Sequence, residues 1–256
     1  MDVEVCLATA ELRVLGRMVE ASNATLRCQI ELGDAVLDCV YKPQRGERPL
    51  WDFIEGTLGR REVATYRMAS AMGLDCVPIT VWRDEGPYGP GMCQMWIDSS
   101  TETAVDLVAP NRVPAGWFRI AEGEGSAGER VALIHADRGD LRDLCLLDLV
   151  VNNTDRKGGH VLLDSDGRVQ GIDHGVTFHH HDKLRTVLWG WSGEELRAVD
   201  IERLGIAREH LDAGLLDDWL TTTEIDATRE RISRLSQEGV MPEPSGAWPP
   251  LPWPAF

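Results

Sequence analysis

The sequence predicts an α+β protein with a small β-rich first part that carries one long helix, and a mainly helical second part. Apolar and polar residues alternate over much of residues 9–43, which is typical of strands with one buried face. Apolar residues at helical spacing follow over residues 57–72, and helical patterns return near residues 207–220 and 222–237. The strands are therefore expected mainly early in the chain and the helices mainly late.

Composition limits the classes of protein to consider. The chain has 256 residues, of which 43% are hydrophobic, so most of it is expected to fold. Its 26 basic and 42 acidic residues give a net charge of −16, which argues against a nucleic-acid partner and against stable membrane association. The longest apolar run is too short to span a membrane and the N-terminus is acidic, so we expect a cytoplasmic protein. Six scattered cysteines without a CxxC pair indicate buried thiols.

The early strands are expected to form a small sheet. Alternation predicts strands around residues 12–19 and 26–32, joined by a polar tip at residues 22–25. The turn Gly33-Asp34 then leads to a third strand that reaches Tyr41.

One long helix should follow this hairpin region. Thr57 is the expected N-cap and Gly73 the expected stop of a helix over residues 57–72. Beyond it, VPITVW and GMCQMWI are expected to be strands joined by a Gly/Pro-rich turn.

The second part begins with weak patterning. Composition predicts a flexible loop at residues 122–128 and a helix at residues 141–152. Two short strands, HVLL and VQGID, should then flank the turn at residues 164–167. The Pro-rich tail cannot be helical, and its two tryptophans either pack on the body or belong to a disordered end.

Four residues in separate segments suggest phosphoryl transfer. This chemistry needs a lysine on the nucleotide phosphates, a glutamate that holds the lysine, an aspartate beside the acceptor hydroxyl and an aspartate on the metal. The chain offers these residue types in a fitting order on fitting elements: Lys42, Glu62, Asp155 and Asp173.

Each residue also has an ordinary explanation. Lys42 suits the end of a strand, and Glu62 suits a surface ion pair beside two arginines. Asp155 and Asp173 both suit turns. The combination is therefore more informative than any single member.

The segments that carry these residues resemble a known family. VYKP, REVATYRMASAMGLDCVP, NNTDR and GIDHGVTF are similar to signature segments of phosphatidylinositol 3-/4-kinase-like atypical kinases, which are related to type II phosphatidylinositol 4-kinases and HipA-type kinases. The resemblance is strongest to an actinobacterial branch with a DKLRTVLWGW stretch, found here at residues 182–191. It covers about residues 15–195.

The resemblance implies a two-lobed atypical protein-kinase-like fold. The N-lobe would comprise residues 1–98, the C-lobe residues 99–240 and the tail residues 241–256. Lys42 would contact the ATP phosphates and pair with Glu62.

The resemblance also assigns the remaining site residues. Asp155 would be the catalytic aspartate, Arg156 would steady its loop, and Asp173 would bind the metal. The hinge that contacts adenine would comprise Gln94, Met95, Trp96 and Ile97. The tip that covers the phosphates would comprise Ser22, Asn23, Ala24 and Thr25.

Two departures from the family pattern affect these roles. His160 stands where the relatives place the asparagine of the second metal ligand, and imidazole suits Mn²⁺ better than Mg²⁺. His160 would then bind metal or contact phosphate. The covering tip at residues 22–25 lacks glycine, so hydroxyls, the amide of Asn23 or backbone N–H groups would have to contact phosphate.

Two further motifs keep more than one interpretation. The run His179-His180-His181 is a loop after the metal aspartate, a minor metal site, or a contact to substrate or phosphate, since the resemblance places it near the acceptor. Trp189 and Trp191 are expected in the core, although their spacing would also allow one ring to line a groove.

These features together predict an ATP-dependent phosphotransferase that uses Mg²⁺ or Mn²⁺. The γ-phosphoryl group would pass to a hydroxyl acceptor, and the −16 charge favours a protein serine or threonine or a small molecule over a lipid. The alternatives are a nucleotide-binding pseudokinase that acts as a regulatory scaffold, and an enzyme that transfers the nucleotidyl group.

Overall fold

A computed structural model of the protein describes residues 2–18, 23–33, 35–54, 56–125 and 127–256. These residues form five α-helices and ten β-strands. The predicted tip residue Ser22 and turn residue Asp34 lie outside the described residues, as does Val19 at the end of the first predicted strand.

The early strands build one antiparallel sheet of five strands in the order β1-β2-β3-β5-β4. They are β1 (Arg13–Arg17), β2 (Leu26–Leu32), β3 (Ala35–Pro43), β4 (Thr80–Arg83) and β5 (Gly91–Met95). Tyr41 pairs with Cys93 and Lys42 with Met92, so β3 lies beside β5 in the middle of the sheet. This arrangement places Lys42 at the end of a strand with neighbours on both sides.

A short helix that the sequence analysis did not assign precedes this sheet. Helix α1 (Val3–Thr9) begins at Asp2, whose side chain accepts a hydrogen bond from the Glu4 N–H. It buries Cys6 and Leu7 against the apolar face of the sheet. Seven residues are too few for helical periodicity to be recognised in sequence.

The long helix α2 (Leu58–Ala71) forms where the sequence predicts it, but with a different cap. The hydroxyl of Thr57 donates to the Ile54 carbonyl. The carboxylate of Glu47 accepts the N–H groups of Leu58 and Gly59 at 3.0 and 2.8 Å. A carboxylate at a helix N-terminus also meets the positive end of the helix dipole. Glu47, eleven residues upstream of the first N–H, therefore replaces the expected local cap.

A second antiparallel sheet occupies the weakly patterned region, in the order β6-β8-β7. Its strands are β6 (Val105–Val108), β7 (Trp117–Glu124) and β8 (Arg130–Ala136). The prediction of a flexible loop at residues 122–128 is therefore wrong for residues 122–124, which belong to β7. Glu122 lies in β7 and pairs with Arg119 and with Arg130 of the neighbouring strand. Cross-strand pairing of this kind favours strand over the loop that the glycines suggest.

The remaining elements surround a central helix. They are α3 (Gly139–Val151), the hairpin of β9 (Val161–Leu163) and β10 (Val169–Gly171), α4 (Ala198–Asp212) and α5 (Thr222–Glu238). The helix expected at residues 207–220 instead begins at Ala198 and ends at Asp212. Asp200 accepts the Arg197 N–H at the start of α4, and Gly214 has a left-handed backbone after its end. No described helix is both long and apolar enough to cross a membrane.

Two groups of buried side chains form the core. One lies between α1 and the first sheet, and the other extends from α2 through α3 to α5. All six cysteines are buried as free thiols, as expected. Trp191 is fully buried, whereas Trp189 is partly exposed and donates its indole N–H to the Pro250 carbonyl of the non-helical tail.

Candidate functional site

Lys42 lies at the centre of the candidate site. Its Nζ is 2.8 Å from Oε1 of Glu62 on α2 and 2.8 Å from Oδ1 of Asp173, which follows β10. The Glu62 side chain is only 3% exposed, while that of Asp173 is 47% exposed. Three residues predicted from separate segments therefore meet at one amine that lies between a buried carboxylate and a partly open one.

The charges of this triad depend on each other. Burial disfavours the charged amine, but the carboxylates of Asp173 and Glu62 outweigh burial and raise the pKa of Lys42. The Lys42 amine holds the pKa of Asp173 well below its usual range. Burial raises the pKa of Glu62, and the Lys42 amine only partly opposes this. Glu62 is thus a buried partner that fixes the amine, and Asp173 is an ionised group open to a ligand.

Asp155 lies in the loop that follows α3. Asn152 ends that helix in the left-handed conformation, with φ of 52°, which asparagine can adopt at a helix C-cap. The Asp155 N–H then donates to Oδ1 of Asn153, and Oδ2 of Asp155 is 3.4 Å from Nζ of Lys157. Burial raises the pKa of Asp155, while Lys157 and Arg185 oppose it. Sequence analysis does not single out Lys157, although its place two residues after Asp155 is a usable signal.

Arg156 is fully buried, with a side chain that is 0% exposed. Its guanidinium donates to both oxygens of Asp148 on α3, with Nε 2.9 Å from Oδ2 and Nη2 2.9 Å from Oδ1. It also donates to the carbonyls of His160 and Ile172. Arg156 therefore joins the Asp155 loop to the segment before Asp173, which fits its predicted steadying role. Asp148 interrupts an apolar helix face, and that interruption is the signal for a buried ion pair.

His160 faces Asp173 across a short gap. Its Nδ1 is 3.0 Å from the Asp155 carbonyl, which only accepts hydrogen bonds, so Nδ1 carries the proton in the neutral ring. Burial lowers the pKa of His160 to about 4, so the ring is neutral near pH 7. Nε2 then presents a lone pair 3.4 Å from Oδ2 of Asp173. Two acceptors this close favour a cation between or beside them.

This pair fits a metal that arrives with a nucleotide. Within the described residues, no group of three or more His, Cys, Asp or Glu side chains is arranged to hold a metal ion. Mg²⁺ is commonly bound by one or two carboxylates together with substrate phosphates and water. Asp173 with His160 matches such a partial ligand set, and the imidazole also suits Mn²⁺.

The predicted hinge and tip are partly engaged in other contacts. The side-chain amide of Gln94 donates to the Thr80 hydroxyl, and the N–H groups of Met95 and Trp96 donate to the carbonyls of Ile79 and Asp38. Adenine contacts would therefore need other backbone groups of this segment, such as those of Ile97.

The tip is tied to the loop after β3. Oδ1 of Asn23 accepts the Arg48 N–H at 2.9 Å, and the Ala24 N–H donates to the Gly46 carbonyl. Thr25 is buried, with its carbonyl accepting the Met18 N–H. Among the described contacts, none joins these tip residues to Lys42.

The histidine run forms a compact loop. Nδ1 of His179 accepts the His181 N–H, and its Nε2 is 3.3 Å from Nζ of Lys183. The rings of His179 and His180 stack at 4.5 Å. The Nδ1 lone pair of His179 is therefore taken by a backbone N–H.

The fold is similar to that of solved structures. The structure of hydra Fam20 with sugar aligns with 93% of this chain and 87% of its own, with a TM-score of 0.57 and 15% identity. The predicted α+β fold is thereby confirmed. The proinflammatory kinase CtkA of Helicobacter pylori aligns with 91% of this chain and 94% of its own, but with a TM-score of only 0.49 and 9% identity.

Sequence comparison gives a much closer relative. No family model matches the chain, so membership of the phosphatidylinositol 3-/4-kinase-like family stays a prediction. Protein Rv2133c of Mycobacterium tuberculosis is 42% identical over 268 residues, which cover 100% of this chain and 96% of the relative. The chain therefore belongs to the same family as Rv2133c.

Proposed function

We propose that this protein is an ATP- and divalent-metal-dependent phosphotransferase of the phosphatidylinositol 3-/4-kinase-like group. The contact of the Lys42 amine with both Glu62 and Asp173 carries the proposal. A buried lysine–glutamate pair beside an ionised aspartate is the arrangement that positions nucleotide phosphates and their metal. The ATP site would lie between an N-lobe of residues 1–98 and a C-lobe of residues 99–240.

Each side chain has a defined task in this scheme. Lys42 binds phosphate oxygens, and Glu62 holds the amine in place. Asp155 orients the acceptor hydroxyl and takes its proton, and its raised pKa favours that role. Lys157, beside Asp155, supports negative charge on the group in transfer.

The metal would be held by Asp173 and His160. A bound Mg²⁺ or Mn²⁺ would neutralise phosphate charge. The residues of the chain keep the site ready for it: His160 is fixed by the Asp155 carbonyl, and Arg156 holds the backbone of both segments.

The favoured acceptor is a protein serine or threonine or a small soluble molecule. The net charge of −16 opposes close approach to an anionic lipid surface. A pseudokinase scaffold is the second candidate, because the tip residues Asn23 and Ala24 are already bonded to the loop after β3.

Nucleotide placement is tested with an ATP analogue that carries an acyl phosphate and acylates nearby amines. The chain has three lysines, so peptide mass spectrometry identifies the modified amine without ambiguity. We expect ATP-protected labelling of Lys42 or Lys157 and none of Lys183. Labelling confined to Lys183, or none that ATP prevents, would contradict the proposed site.

Turnover separates the enzyme from the scaffold. We expect Asp155→Asn to bind ATP–Mn²⁺ like the wild type in calorimetry, yet to transfer phosphate about 10²–10⁴-fold more slowly, because it lacks the general base.

Asp173→Asn should weaken metal-dependent binding, and Asp166→Asn, in the exposed β9–β10 turn, is the matched control. Equal binding by Asp173→Asn and wild type would refute the metal role. Absence of turnover would favour the scaffold, and a gain of AMP mass would indicate nucleotidyl transfer.

A further inference from the structure

The lysine content of the chain is unusually low. Three of the 26 basic residues are lysines, which leaves 26 − 3 = 23 arginines. Arginine is therefore the usual cation in this chain, and either residue can serve at a solvated surface position. Lysine differs by having a compact ammonium group with three freely oriented donors. Two of the three lysines, Lys42 and Lys157, lie in the candidate site.

The third, Lys183, lies in a closed aromatic and acidic environment. It is only 3% exposed. Its Nζ is 2.9 Å from Oδ2 of Asp52 and 3.3 Å from Nε2 of His179. The ring centroids of Trp51 and Trp248 lie 4.9 and 4.8 Å from the same nitrogen. A buried ammonium between two indole faces and a carboxylate gains cation–π and ion-pair energy together.

These partners come from three distant segments. Trp51 and Asp52 precede α2, His179 and Lys183 follow Asp173, and Trp248 belongs to the C-terminal tail. The Lys183 ammonium is therefore the point at which all three segments meet.

The segment that carries Lys183 runs directly beside the Asp155 loop. The Arg185 N–H donates to the Asn153 carbonyl at 2.9 Å, and the Arg156 N–H donates to the Arg185 carbonyl at 3.0 Å. The Val187 N–H returns a bond to the Arg156 carbonyl at 3.1 Å. A displacement of this segment would therefore reach the loop that holds Asp155.

The tail continues from Trp248 onto the same loop. The Pro250 carbonyl accepts the Thr186 N–H at 3.1 Å, and the Ala255 carbonyl accepts the Gly158 N–H at 2.8 Å. The ring of Phe256 lies against Gly158, where any side chain would collide with it. The tail thus spans from the Lys183 ammonium to a point three residues beyond Asp155.

We propose that Lys183 is a positioning residue that assembles the surface on which the hydroxyl acceptor binds. This acceptor platform comprises residues 51–52, 179–187 and 248–256. It rests on the proposed phosphotransferase function, since Asp155 marks where the acceptor hydroxyl lies. Trp51 and Trp253 are 87% and 91% exposed, so the platform presents aromatic surface for contact. Its tail segment forms a wall of the acceptor site.

Hydrogen exchange measured by mass spectrometry tests the assembly without any acceptor. In Lys183→Met, we expect faster exchange in residues 50–53, 179–187 and 246–256 together, with residues 58–71 unchanged. Lys183→Arg should not restore protection, because a planar guanidinium does not fit the space of the ammonium. Arg168→Met removes an exposed cation from the β9–β10 turn and serves as control.

A second variant keeps the test decisive if Lys183→Met fails to fold. Trp248→Leu removes one indole face and leaves the pair with Asp52 intact. We expect faster exchange in the tail and at residues 183–187, while residues 50–53 keep their protection. Faster exchange confined in both variants to the segment that carries the substitution would overturn the proposal.

Activity shows whether the platform serves the acceptor. We expect Lys183→Met to bind ATP like the wild type, because Lys42, Glu62 and Asp173 lie outside the platform, while transfer to a pool of random peptides with one serine or threonine falls about 10- to 100-fold, as small misplacements do. A loss of ATP binding as large as the loss of transfer, or faster transfer after Trp248→Leu, would overturn the proposal. So would a wild type that uses water as its only acceptor. Failure of the proposed function itself would appear separately, as absence of ATP binding by the wild type.

Discussion

At the scale of single residues, the buried ion pair between Arg156 and Asp148 supports the Asp155 loop. Both side chains are fully shielded from solvent. Asp148 also accepts the Asn153 side-chain amide at 2.9 Å, so one carboxylate holds two residues that flank Asp155 from both sides along the chain. The pair explains how a loop can keep a defined shape beside an open site.

Loss of the Asp148 charge should therefore be costly. We expect Asp148→Asn to lower the free energy of unfolding by about 3–5 kcal/mol, because it leaves a buried guanidinium without its counter-charge. Urea unfolding measures the change, with Asp166→Asn, 71% exposed, as the control. Similar stability of the two variants would show that Arg156 needs no carboxylate.

At the scale of elements, His135 joins the second sheet to the WGW turn. It lies on β8, fully buried, with Nδ1 donating to the Ala136 carbonyl and Nε2 accepting the Gly190 N–H at 2.9 Å. A side chain at Gly190 would collide with Phe118 and His135, so the glycine permits close approach of the turn. The ring of Trp191 lies 4.6 Å from that of His135.

This contact should make stability depend on pH. Burial lowers the pKa of His135 to about 4. The neutral ring therefore contributes its full share of the unfolding free energy above pH 6.5, the ordinary pKa of histidine, and this share is lost as the pH falls toward 4. The loss from this group approaches about 3 kcal/mol, at about 1.4 kcal/mol per pKa unit. We expect His135→Gln to flatten the fall in unfolding free energy between pH 6.5 and 4. His210→Gln, exposed on α4, should keep the wild-type slope, and an unchanged slope in His135→Gln would contradict this origin.

At the scale of the whole molecule, α2 is held by the helical part of the chain. The buried guanidinium of Arg61 is 2.5 Å from Oε1 of Glu224 on α5 and 2.7 Å from the Thr177 carbonyl. The hydroxyls of Thr65 and Thr177 meet at 3.1 Å. Because Arg61 precedes Glu62, these contacts also fix the carboxylate that holds Lys42.

Release of this contact should affect both stability and nucleotide binding. We expect Glu224→Gln to cost about 3–5 kcal/mol of unfolding free energy, as for other buried pairs that lose one charge. It should also weaken ATP binding, because α2 would hold Glu62 less firmly. Unfolding and calorimetry measure the two effects, with Glu230→Gln, exposed on the same helix, as control. A destabilised Glu224→Gln variant that binds ATP as tightly as the wild type would show that the placement of α2 does not control nucleotide binding.

Local patterns predict much of this architecture because they depend on neighbours in the chain. The alternation at residues 26–32 and the helical face at residues 58–71 reflect which side of each element is buried. Contacts over long separations escaped prediction. Glu47 caps α2 from outside the helix, and Glu122 of β7 forms an ion pair with Arg130 of the neighbouring strand.

Residue patterns alone predict the types of most elements, the order of the four candidate residues and an acidity that disfavours a lipid surface. Packing brings the Lys42 amine to Glu62 and Asp173, buries Arg156 on Asp148, and joins three segments at Lys183. Propensity and periodicity are set by residues a few positions apart, whereas these contacts join residues as far as 131 positions apart. Their distances follow from how the three sheets and five helices of the described residues pack.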